Sequence, residues 1–443
     1  MGQALLVDFG STRIKSALWD NAQGVLDTEE VQGIHPVETW CGRYEANPED
    51  YWNAFDCCIG RILARHAGCS VNTLCFCSEM HGFLLVDTHG MPLTGYISWQ
   101  DQRSAYCYGG KASSTWDVMR PFTSRFRSLT GMRMKPGLPW INVADLAQSG
   151  ELPAQCRLLT LPDWILLRGG CSVPLSDATM AAATGFFDIH SRTWSDELKD
   201  TALQTSRSHL EFSPVVSTGS CLGQIQVAGK KLLVYGGAGD LQTALYGAGF
   251  GDKHQAVVNL GTGSQVAAKG DDEEGGAFEV RLTCNGSICR CITHIPCGKS
   301  LAMLAAMVDN FSQLGGGSPI FWKLWQNLSS DEVLAIPSIA DLNMFPVAWR
   351  YTDRGGTFIL REDWAHAKDF LSGIAHSWCS QYAEAFSLLQ SDAAEIILSG
   401  SLARYSPFMS SVLGELTGKN VLCCEPVTKN ETLDGLINIL ENI

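Results

Sequence analysis

Residues 4–15 read ALLVDFGSTRIK, and a similar pattern of apolar and small residues returns at 256–264 as AVVNLGTGS. In the first stretch the apolar run ends at Asp8-Phe9-Gly10-Ser11-Thr12, and residues of alternating polarity follow it. Apolar strands on either side of a small polar turn are typical of a β-hairpin. Because each copy opens one half of the chain, we predict an architecture built twice from a strand–turn–strand unit.

The rest of the chain alternates between helix-like and strand-like segments. Residues 51–66 place apolar side chains at helical spacing, whereas 74–77 and 83–86 are short apolar runs. This alternation predicts a mixed α/β fold. Glycines at 247, 249 and 251 form a joint, so we predict a boundary near residue 250 and two domains, 1–250 and 251–443.

Composition limits the classes of function. The chain has 443 residues, of which 45% are hydrophobic and 18% charged, and its formal net charge is −14. Such an acidic balance disfavours binding to nucleic acid or to anionic lipid. No apolar run reaches the length of a membrane span, and the start, MGQALLVDFGS, lacks a secretory signal. We therefore expect a cytoplasmic protein with no nucleic-acid or membrane partner.

The chain contains 17 cysteines, and the densest group is Cys284, Cys289, Cys291 and Cys297, with His294 among them. A zinc site there is one interpretation, but the paired C-x-x-C spacing of zinc knuckles is missing. Free, partly buried thiols are the first interpretation, and metal binding stays open.

Well-known phosphate motifs do not fit this sequence. Gly298-Lys299-Ser300 resembles the end of a P-loop, but Thr293 stands where that motif needs glycine. The spacing of the glycines from 247 to 251 does not match a dinucleotide fingerprint. The two hairpin turns remain as candidates, because turns of glycine and small hydroxyl residues expose backbone N–H groups that can hold phosphate oxygens. Ordinary hairpins with capping groups are the alternative.

Six segments, in this order, resemble the FGGY family of carbohydrate kinases. They are Asp8–Lys15, Met80-His81-Gly82, Trp99-Gln100-Asp101-Gln102-Arg103, Gly239-Asp240, Leu260-Gly261-Thr262-Gly263-Ser264 and Leu398–Ala403. Within the family, three segments together look most like the sedoheptulokinases, and the xylulokinases come next: Trp99-Gln100-Asp101-Gln102-Arg103, Ser176-Asp177 leading to Gly185-Phe186-Phe187-Asp188, and Gly239-Asp240-Leu241-Gln242. The resemblance implies a two-domain actin-like ATPase fold with a duplicated core and an active-site cleft between the domains. It also implies that 1–250 binds the sugar and carries the catalytic base, and that 251–443 binds the nucleotide.

The resemblance also implies a role for particular residues. The catalytic base would be Asp240, and Asp8 would orient Mg²⁺, usually through water. Nucleotide and phosphate contacts would come from Asp8, Gly10, Ser11, Thr12, Lys15, Gly261, Thr262, Gly298, Gly400, Ser401 and Leu402. The sugar would contact Met80, His81, Trp99, Asp101 and Arg103. The implied cofactors are ATP and Mg²⁺, the implied partner is a small sugar, and a homodimer is conceivable.

Each of these assignments has a structural alternative. Asp240 could be a helix N-cap, Met80 a core residue and His81 a satisfied buried histidine, and Asp101 and Arg103 could form a surface ion pair. Ser401 and Leu402 depart from the family's usual glycine and alanine. The implied activity is ATP-dependent phosphorylation of a ketose, with sedoheptulose first and D-xylulose second. A non-catalytic nucleotide switch or sugar sensor is the alternative.

Overall fold

The computed structural model describes residues 2–108, 112–204, 206–251, 255–261, 264–270, 277–295, 297–337, 340–341, 357–358, 366–428 and 430–443. The strands are β1 Gln3–Phe9, β2 Arg13–Asp20, β3 Gly24–Gln32, β4 Val37–Trp40, β5 Arg43–Ala46, β6 Thr73–Ser78, β7 Leu84–Val86, β8 Tyr96–Ile97, β9 Gln155–Leu159, β10 Ser176–Asp177, β11 Phe187–Asp188, β12 Thr193–Trp194, β13 His209–Phe212, β14 Val215–Val216, β15 Gly223–Val227, β16 Lys230–Gly239, β17 Gln255–Leu260, β18 Ser264–Lys269, β19 Glu279–Leu282, β20 Ile288–Ile295, β21 Ala340–Asp341, β22 Thr357–Phe358, β23 Glu395–Ser399 and β24 Asn420–Cys423. The helices are α1 Pro48–Arg65, α2 Thr115–Met119, α3 Thr123–Thr130, α4 Pro139–Ser149, α5 Leu161–Arg168, α6 Ala178–Ala183, α7 Asp196–Leu203, α8 Asp240–Gly247, α9 Gly298–Leu314, α10 Phe321–Gln326, α11 Ser330–Ala335, α12 Ala367–Leu388, α13 Ser401–Tyr405, α14 Met409–Thr417 and α15 Glu431–Glu441.

The chain divides into two compact units. The first comprises Met1–Gly247, Val280–Ser287 and Asn430–Ile443, and the second comprises Ala248–Glu279 and Ile288–Lys429. The division at Gly247 lies close to the predicted joint, but two later segments belong to the first unit rather than to one continuous second domain. The predicted assignment of sugar binding to 1–250 and nucleotide binding to 251–443 stays a prediction.

The main sheet of the first unit runs in the order β15-β16-β6-β1-β2-β3. β1 and β2 form the predicted antiparallel hairpin, with Asp8 opposite Lys15, and β6 lies parallel to both β1 and β16. Leu5 and Val7 pack in one core with Phe55 of α1, while Leu6 packs in a second core with Leu436 of α15. A strand buried on both faces explains why its sequence is a continuous apolar run.

In the second unit, five strands are hydrogen-bonded in the order β20-β18-β17-β23-β24. β17 and β18 form the second predicted hairpin, and β17 lies parallel to β23, with Asn259 opposite Ser399. The arrangement repeats that of β1, β2 and β6 in the first unit. The predicted duplication of a strand–turn–strand unit is therefore visible in the topology.

Several predicted elements are confirmed. The helix expected over 51–66 is α1, which begins three residues earlier because Asn47 caps it and Pro48 occupies its first turn. The short apolar runs form β6 and β7. Among the described residues, no helix combines the length and hydropathy needed to span a membrane.

The C-terminal helix α15 belongs to the first unit because two glycines allow it to lie directly on α8. A Cβ atom on Gly247 would overlap the carbonyl oxygen of Glu431, and one on Gly435 would overlap that of Thr243. Only glycine permits such close approach of two helix backbones. The last residues of the chain therefore hold α8, the helix that begins with Asp240.

Candidate active site

Three parallel strands of the first unit end at one edge of its sheet. Phe9 and Gly239 are both in register with Ser78, so the ends of β1, β6 and β16 lie side by side. Each strand carries a carboxylic acid at this end: Asp8 one residue before the end of β1, Glu79 directly after β6 and Asp240 directly after β16. The carboxyl ends of parallel strands are the usual position of binding sites in α/β folds.

Asp240 is the first residue of α8 and is partly buried. Its Oδ1 accepts a hydrogen bond from the backbone N–H of Leu241, the next residue, at 2.8 Å. An N-cap side chain would instead accept from the second or third residue of the helix, so the helix-capping interpretation is not met. Burial, and then the negative charge of Asp8, raise the pKa of Asp240 to about 7. A carboxylate with that pKa can accept a proton near neutral pH, which is the property a general base requires.

Asp8 is buried at the end of β1, and its Oδ1 lies 3.7 Å from the Sγ of Cys77, which donates to it. Burial raises the pKa of Asp8, while the positive charge of Lys15 and the hydroxyl of Thr432 lower it in part. Within the described residues no three His, Cys, Asp or Glu side chains form a metal cage. One carboxylate beside the Gly10-Ser11-Thr12 turn, which is predicted to hold phosphate, nevertheless fits Mg²⁺, which keeps several waters and prefers oxygen ligands.

Glu79 is a residue of this edge that sequence reasoning missed. It is buried, and its Oε1 accepts a hydrogen bond from the hydroxyl of Tyr51 at 3.1 Å. The side chains of Trp99 and Tyr96 also face it, both outside ordinary hydrogen-bond geometry. Burial raises the pKa of Glu79 to about 7 against these donors. Its place directly before Met80-His81-Gly82 was the one available signal in the sequence.

Met80 and His81 lie next to this edge of the sheet. Met80 is buried, and its Sδ would be only 2.7 Å from a Cβ atom on Gly239, the residue before Asp240. His81 adopts a left-handed backbone conformation, with φ of 65°, and its Nδ1 lies 2.8 Å from the carbonyl oxygen of Ala183. Such a conformation is uncommon outside glycine and clusters at functional sites. The core and satisfied-histidine interpretations thus describe real contacts without excluding contact with a sugar.

The side-chain oxygen of a neighbouring amide has no hydrogen-bond partner among the described residues. Gln242, on the first turn of α8, is buried, and its Oε1 has no hydrogen-bond partner among the described residues. This oxygen would lie 2.6 Å from a Cβ atom on Gly239, beside Met80. A buried acceptor without a donor is costly, and a ligand hydroxyl would satisfy it.

Asp101 and Arg103 form a buried ion pair, so the surface-pair interpretation is wrong. Their exposed fractions are 0% and 1%. Arg103 donates to both carboxylate oxygens of Asp101 at 2.8 Å, and its Nη2 also donates to Glu45 at 2.6 Å. The backbone N–H of Tyr44 donates to Asp101 as well, at 2.9 Å. These contacts occupy both carboxylate oxygens of Asp101. Contact of this pair with a sugar stays a prediction.

The turn Gly10-Ser11-Thr12, the first predicted phosphate turn, is held by Gly33, the residue directly after β3. The backbone N–H of Gly33 donates to the carbonyl oxygen of Thr12 at 2.9 Å, and a Cβ on Gly33 would lie 2.6 Å from the carbonyl oxygen of Ser11. A Cβ on Gly10 would lie 2.9 Å from the carbonyl oxygen of Arg13. The turn is thus tightly fixed, and Lys15 lies just beyond it on β2.

The second unit brings three predicted phosphate and nucleotide residues together. The carbonyl oxygen of Gly261 accepts a hydrogen bond from the backbone N–H of Gly298, the first residue of α9, at 3.1 Å. Gly400 has φ of 91°, and a Cβ there would lie 2.5 Å from the carbonyl oxygen of Leu260. Helix N-termini beside such turns favour anions. Thr262 lies outside the described residues.

Ser401 and Leu402 begin the short helix α13 directly after Gly400. Ser401 is exposed and Leu402 is buried, so the two residues that depart from the family pattern have different surroundings.

Cys284, Cys289, Cys291 and Cys297 are all buried. The side chain of His294 lies outside the described part of the chain, and metal binding by this group stays untested.

Comparison with solved structures identifies the fold. Ligand-bound xylulose kinase from Lactobacillus acidophilus has a TM-score of 0.79 at 17% identity, covering 100% of this chain and 90% of that chain. Plasmodium falciparum glycerol kinase with ADP has a TM-score of 0.78 at 14% identity, covering 100% of this chain and 90% of that one. The likeness confirms the predicted fold class, a two-domain actin-like ATPase fold.

The sequence then identifies the family. Residues 3–247 match the N-terminal domain of the FGGY family of carbohydrate kinases, and the chain belongs to this family. Xylulose kinase from Klebsiella pneumoniae is 28% identical over 268 residues, which are 58% of this chain and 52% of that protein. The chain thus spans about half the length of the xylulose kinases it matches.

Proposed function

We propose that the protein transfers the γ-phosphoryl group of ATP to a primary hydroxyl of a ketose. The observation that carries this proposal is Asp240, placed at the end of β16 beside two other buried carboxylic acids, with its pKa raised to about 7. Phosphoryl transfer needs positioning, charge neutralisation and a proton acceptor, and this edge offers the acceptor. Membership of a carbohydrate kinase family supports the same reaction.

In the proposed reaction, Asp240 accepts the proton of the sugar hydroxyl as that oxygen forms a bond to the γ-phosphorus. The bond from the γ-phosphorus to the β,γ-bridging oxygen breaks, and ADP leaves. Oδ1 of Asp240 is held by Leu241, so Oδ2 is the oxygen free to take the proton. Mg²⁺, held through water by Asp8, would neutralise phosphate charge.

The nucleotide would be held by the glycine-rich turns. We assign the phosphates to Gly10, Ser11, Thr12 and Lys15 of the first turn and to Gly261, Thr262 and Gly298 of the second. The N-terminus of α9, at Gly298, supports the second assignment because helix N-termini favour anions. Gly400, Ser401 and Leu402 are assigned to the nucleoside.

The sugar would lie against Met80, His81 and Trp99. The buried oxygen of Gln242 supports a polyhydroxylated ligand, since a hydroxyl donor would satisfy it. We assign Asp101 and Arg103 to the sugar site as well, where their buried ion pair would also hold the segment that carries Trp99. Sedoheptulose is the first substrate we propose, on the Gly239-Asp240-Leu241-Gln242 sequence.

D-xylulose is the second candidate substrate. Proteins similar to this chain, from Klebsiella pneumoniae and Lactobacillus acidophilus, are named xylulose kinases. A non-catalytic switch or sugar sensor is a further alternative, and it would bind ligand without turnover.

The test is ADP release from purified protein with Mg²⁺–ATP and a panel of sedoheptulose, D-xylulose, D-ribulose, L-ribulose, glycerol and no sugar. Asp240→Ala serves as the control. Stimulation by one ketose that the control loses would establish the kinase and identify its substrate. Sugar binding without ADP release would favour the sensor, and sugar-independent nucleotide binding alone would favour the switch.

A further inference from the structure

Glu79 joins three segments of the first unit at the proposed sugar site. Its backbone N–H donates to the carbonyl oxygen of Phe9 at 2.9 Å, which fixes it to the end of β1. Its side chain faces Tyr51 from α1 and Tyr96 and Trp99 from the chain around β8. A buried carboxyl group that meets donors from separate segments acts as a common acceptor for them.

The surroundings of Glu79 leave little room for movement. The exposed fractions of Glu79, Tyr51 and Tyr96 are 5%, 3% and 0%, and the two tyrosine rings lie 4.8 Å apart in an edge-to-face arrangement. A Cβ atom on Gly82 would overlap the hydroxyl of Tyr96. The turn that carries Met80 and His81 is thus held at both ends, by Glu79 before it and by Gly82 after it.

We propose that Glu79 is a positioning residue for the sugar. Its carboxylate accepts a hydrogen bond from Tyr51 and faces Tyr96 and Trp99, and so holds Trp99 and the Met80–His81 turn in the geometry that binds the substrate. The inference rests on the proposed function, because it assigns Glu79 to the sugar and not to the nucleotide. What matters is the acceptor oxygen, since the partners of Glu79 are donors.

The test compares Glu79→Leu, which fills the space but removes both acceptors, with Glu79→Gln, which keeps one acceptor oxygen. We expect Glu79→Leu to raise the ketose KM about tenfold, the effect of leaving buried donors unpaired. Glu79→Gln should stay within about threefold of wild type, and Tyr51→Phe should show a similarly small rise. The ATP KM and the sugar-independent hydrolysis of ATP should not change in any of them.

Asp163→Leu is the matched control. Asp163 is buried in the same unit, and its Oδ2 accepts a hydrogen bond from the backbone N–H of Thr160 at 3.0 Å in the capping box of α5. Thermal unfolding of both leucine variants measures the loss of stability, and the kinetics are compared at a temperature where both are folded. A general effect of removing a buried carboxyl group would then appear in both.

Three results would overturn the inference. These are a ketose KM for Glu79→Leu no higher than that for Asp163→Leu, an equal rise in the KM for ketose and ATP, or equal loss in Glu79→Leu and Glu79→Gln. Failure of the proposed function would look different, because wild-type protein itself would release no ADP with any sugar.

Discussion

At the end of β1 a carboxylic acid, Asp8, lies opposite Lys15, whereas at the same place on β17 an amide, Asn259, lies opposite Gln265. The side chains that contact Asp8 and Asn259 differ as well. Asp8 is in contact with the Cys77 thiol, while Asn259 donates to the Ser399 hydroxyl at 3.0 Å and accepts from Gln265 at 3.3 Å. One backbone arrangement therefore supports an acidic edge in one unit and a neutral edge in the other.

The neighbouring strands extend this contrast. β6 leads into the buried acid Glu79, and β16 into Asp240, whereas β23 leads into Gly400 and α13, which carries no acidic residue. Buried carboxylic acids can exchange protons and hold cations, while a neutral, glycine-rich edge can approach phosphates without repelling them. We infer that the two copies share one backbone arrangement and differ in function because of their charge. The acidic edge would handle the proton and the cation, and the neutral edge would hold phosphate.

The contrast is tested most strongly by Asp240→Asn. Asparagine keeps an oxygen for the Leu241 N–H but cannot accept the substrate's proton, so turnover should fall about 10³-fold. The substitution should not lower the thermal stability of the folded state. Because the pKa of Asp240 is raised by folding to about 7, its favourable contribution is present at acid pH and is lost as the pH rises through 7. At pH 8 the variant should unfold at or above the wild-type temperature.

The measurements are ADP release and thermal unfolding at pH 8 and pH 5.5. Asp196→Asn is the matched control, because Asp196 also occupies the first turn of a helix, α7, but is paired with Lys199 at the surface. Turnover above about one tenth of wild type in Asp240→Asn would remove Asp240 from the role of base.

A reciprocal exchange tests whether charge distinguishes the two hairpins. Asp8→Asn gives the first edge the amide of the second and should lower turnover about 10²-fold, with partial recovery at high Mg²⁺. Asn259→Asp places a negative charge beside the proposed phosphate turn and should raise the ATP KM about fivefold. Initial rates at varied Mg²⁺ and ATP measure both effects. If both variants changed the same parameter by the same factor, the division of chemistry between the edges would be wrong.

The acidic edge also predicts a dependence on pH. Because Asp240 must be ionised to accept a proton, kcat/KM should fall about tenfold per pH unit below a midpoint near 7. In Asp8→Asn the midpoint should move to lower pH, since the charge of Asp8 helps to raise the pKa of Asp240. Rate profiles from pH 5 to pH 9 check this, and an acid limb near the ordinary aspartate pKa of about 4 would contradict it.

The hairpins could be predicted from sequence because their signals are local. Apolar strands and small polar turns determine β1, β2, β17 and β18, and the strand before Asp240 and the helix after it carry similar local patterns. The order of the six motifs then identifies the family. These features depend on neighbours in the chain, so the sequence contains them.

Other features depend on residues brought together by the fold. Glu79 becomes a buried acceptor because Tyr51 and Tyr96 cover it, and neither lies near it in the sequence. The Asp101–Arg103 pair has the spacing of a surface ion pair, and its burial becomes visible only in three dimensions. Likewise, nothing local to Gly435 indicates that α15 lies on the helix of the proposed base.

The smallest effect we predict concerns the neutral edge. Gly400 combines φ of 91° with the carbonyl oxygen of Leu260 at 2.5 Å from its missing Cβ, whereas Gly418 has φ of 66° and open space around it. Alanine at Gly418 must adopt a left-handed helical conformation, which costs about 1–2 kcal/mol. Gly400, with ψ of 159°, lies in a region that is populated almost only by glycine, so alanine there is strained by about 1–3 kcal/mol. Gly400→Ala must in addition displace Leu260, at the end of β17. It should therefore lose about 3 kcal/mol of unfolding free energy, against about 1 kcal/mol for Gly418→Ala.

Denaturant unfolding of the two variants, with the ATP KM of each, separates backbone strain from nucleotide binding. Since Gly400 lies beside the turn assigned to the phosphates, Gly400→Ala should also raise the ATP KM a few-fold, while Gly418→Ala should leave it unchanged. Equal unfolding free energies with an unchanged ATP KM in both would mean that Gly400 serves only the helix that follows it. The close approach of Gly400, directly after β23, to Leu260 of β17 would then have no effect on nucleotide binding. The neutral edge would have the same backbone arrangement as the acidic edge but no part in the reaction.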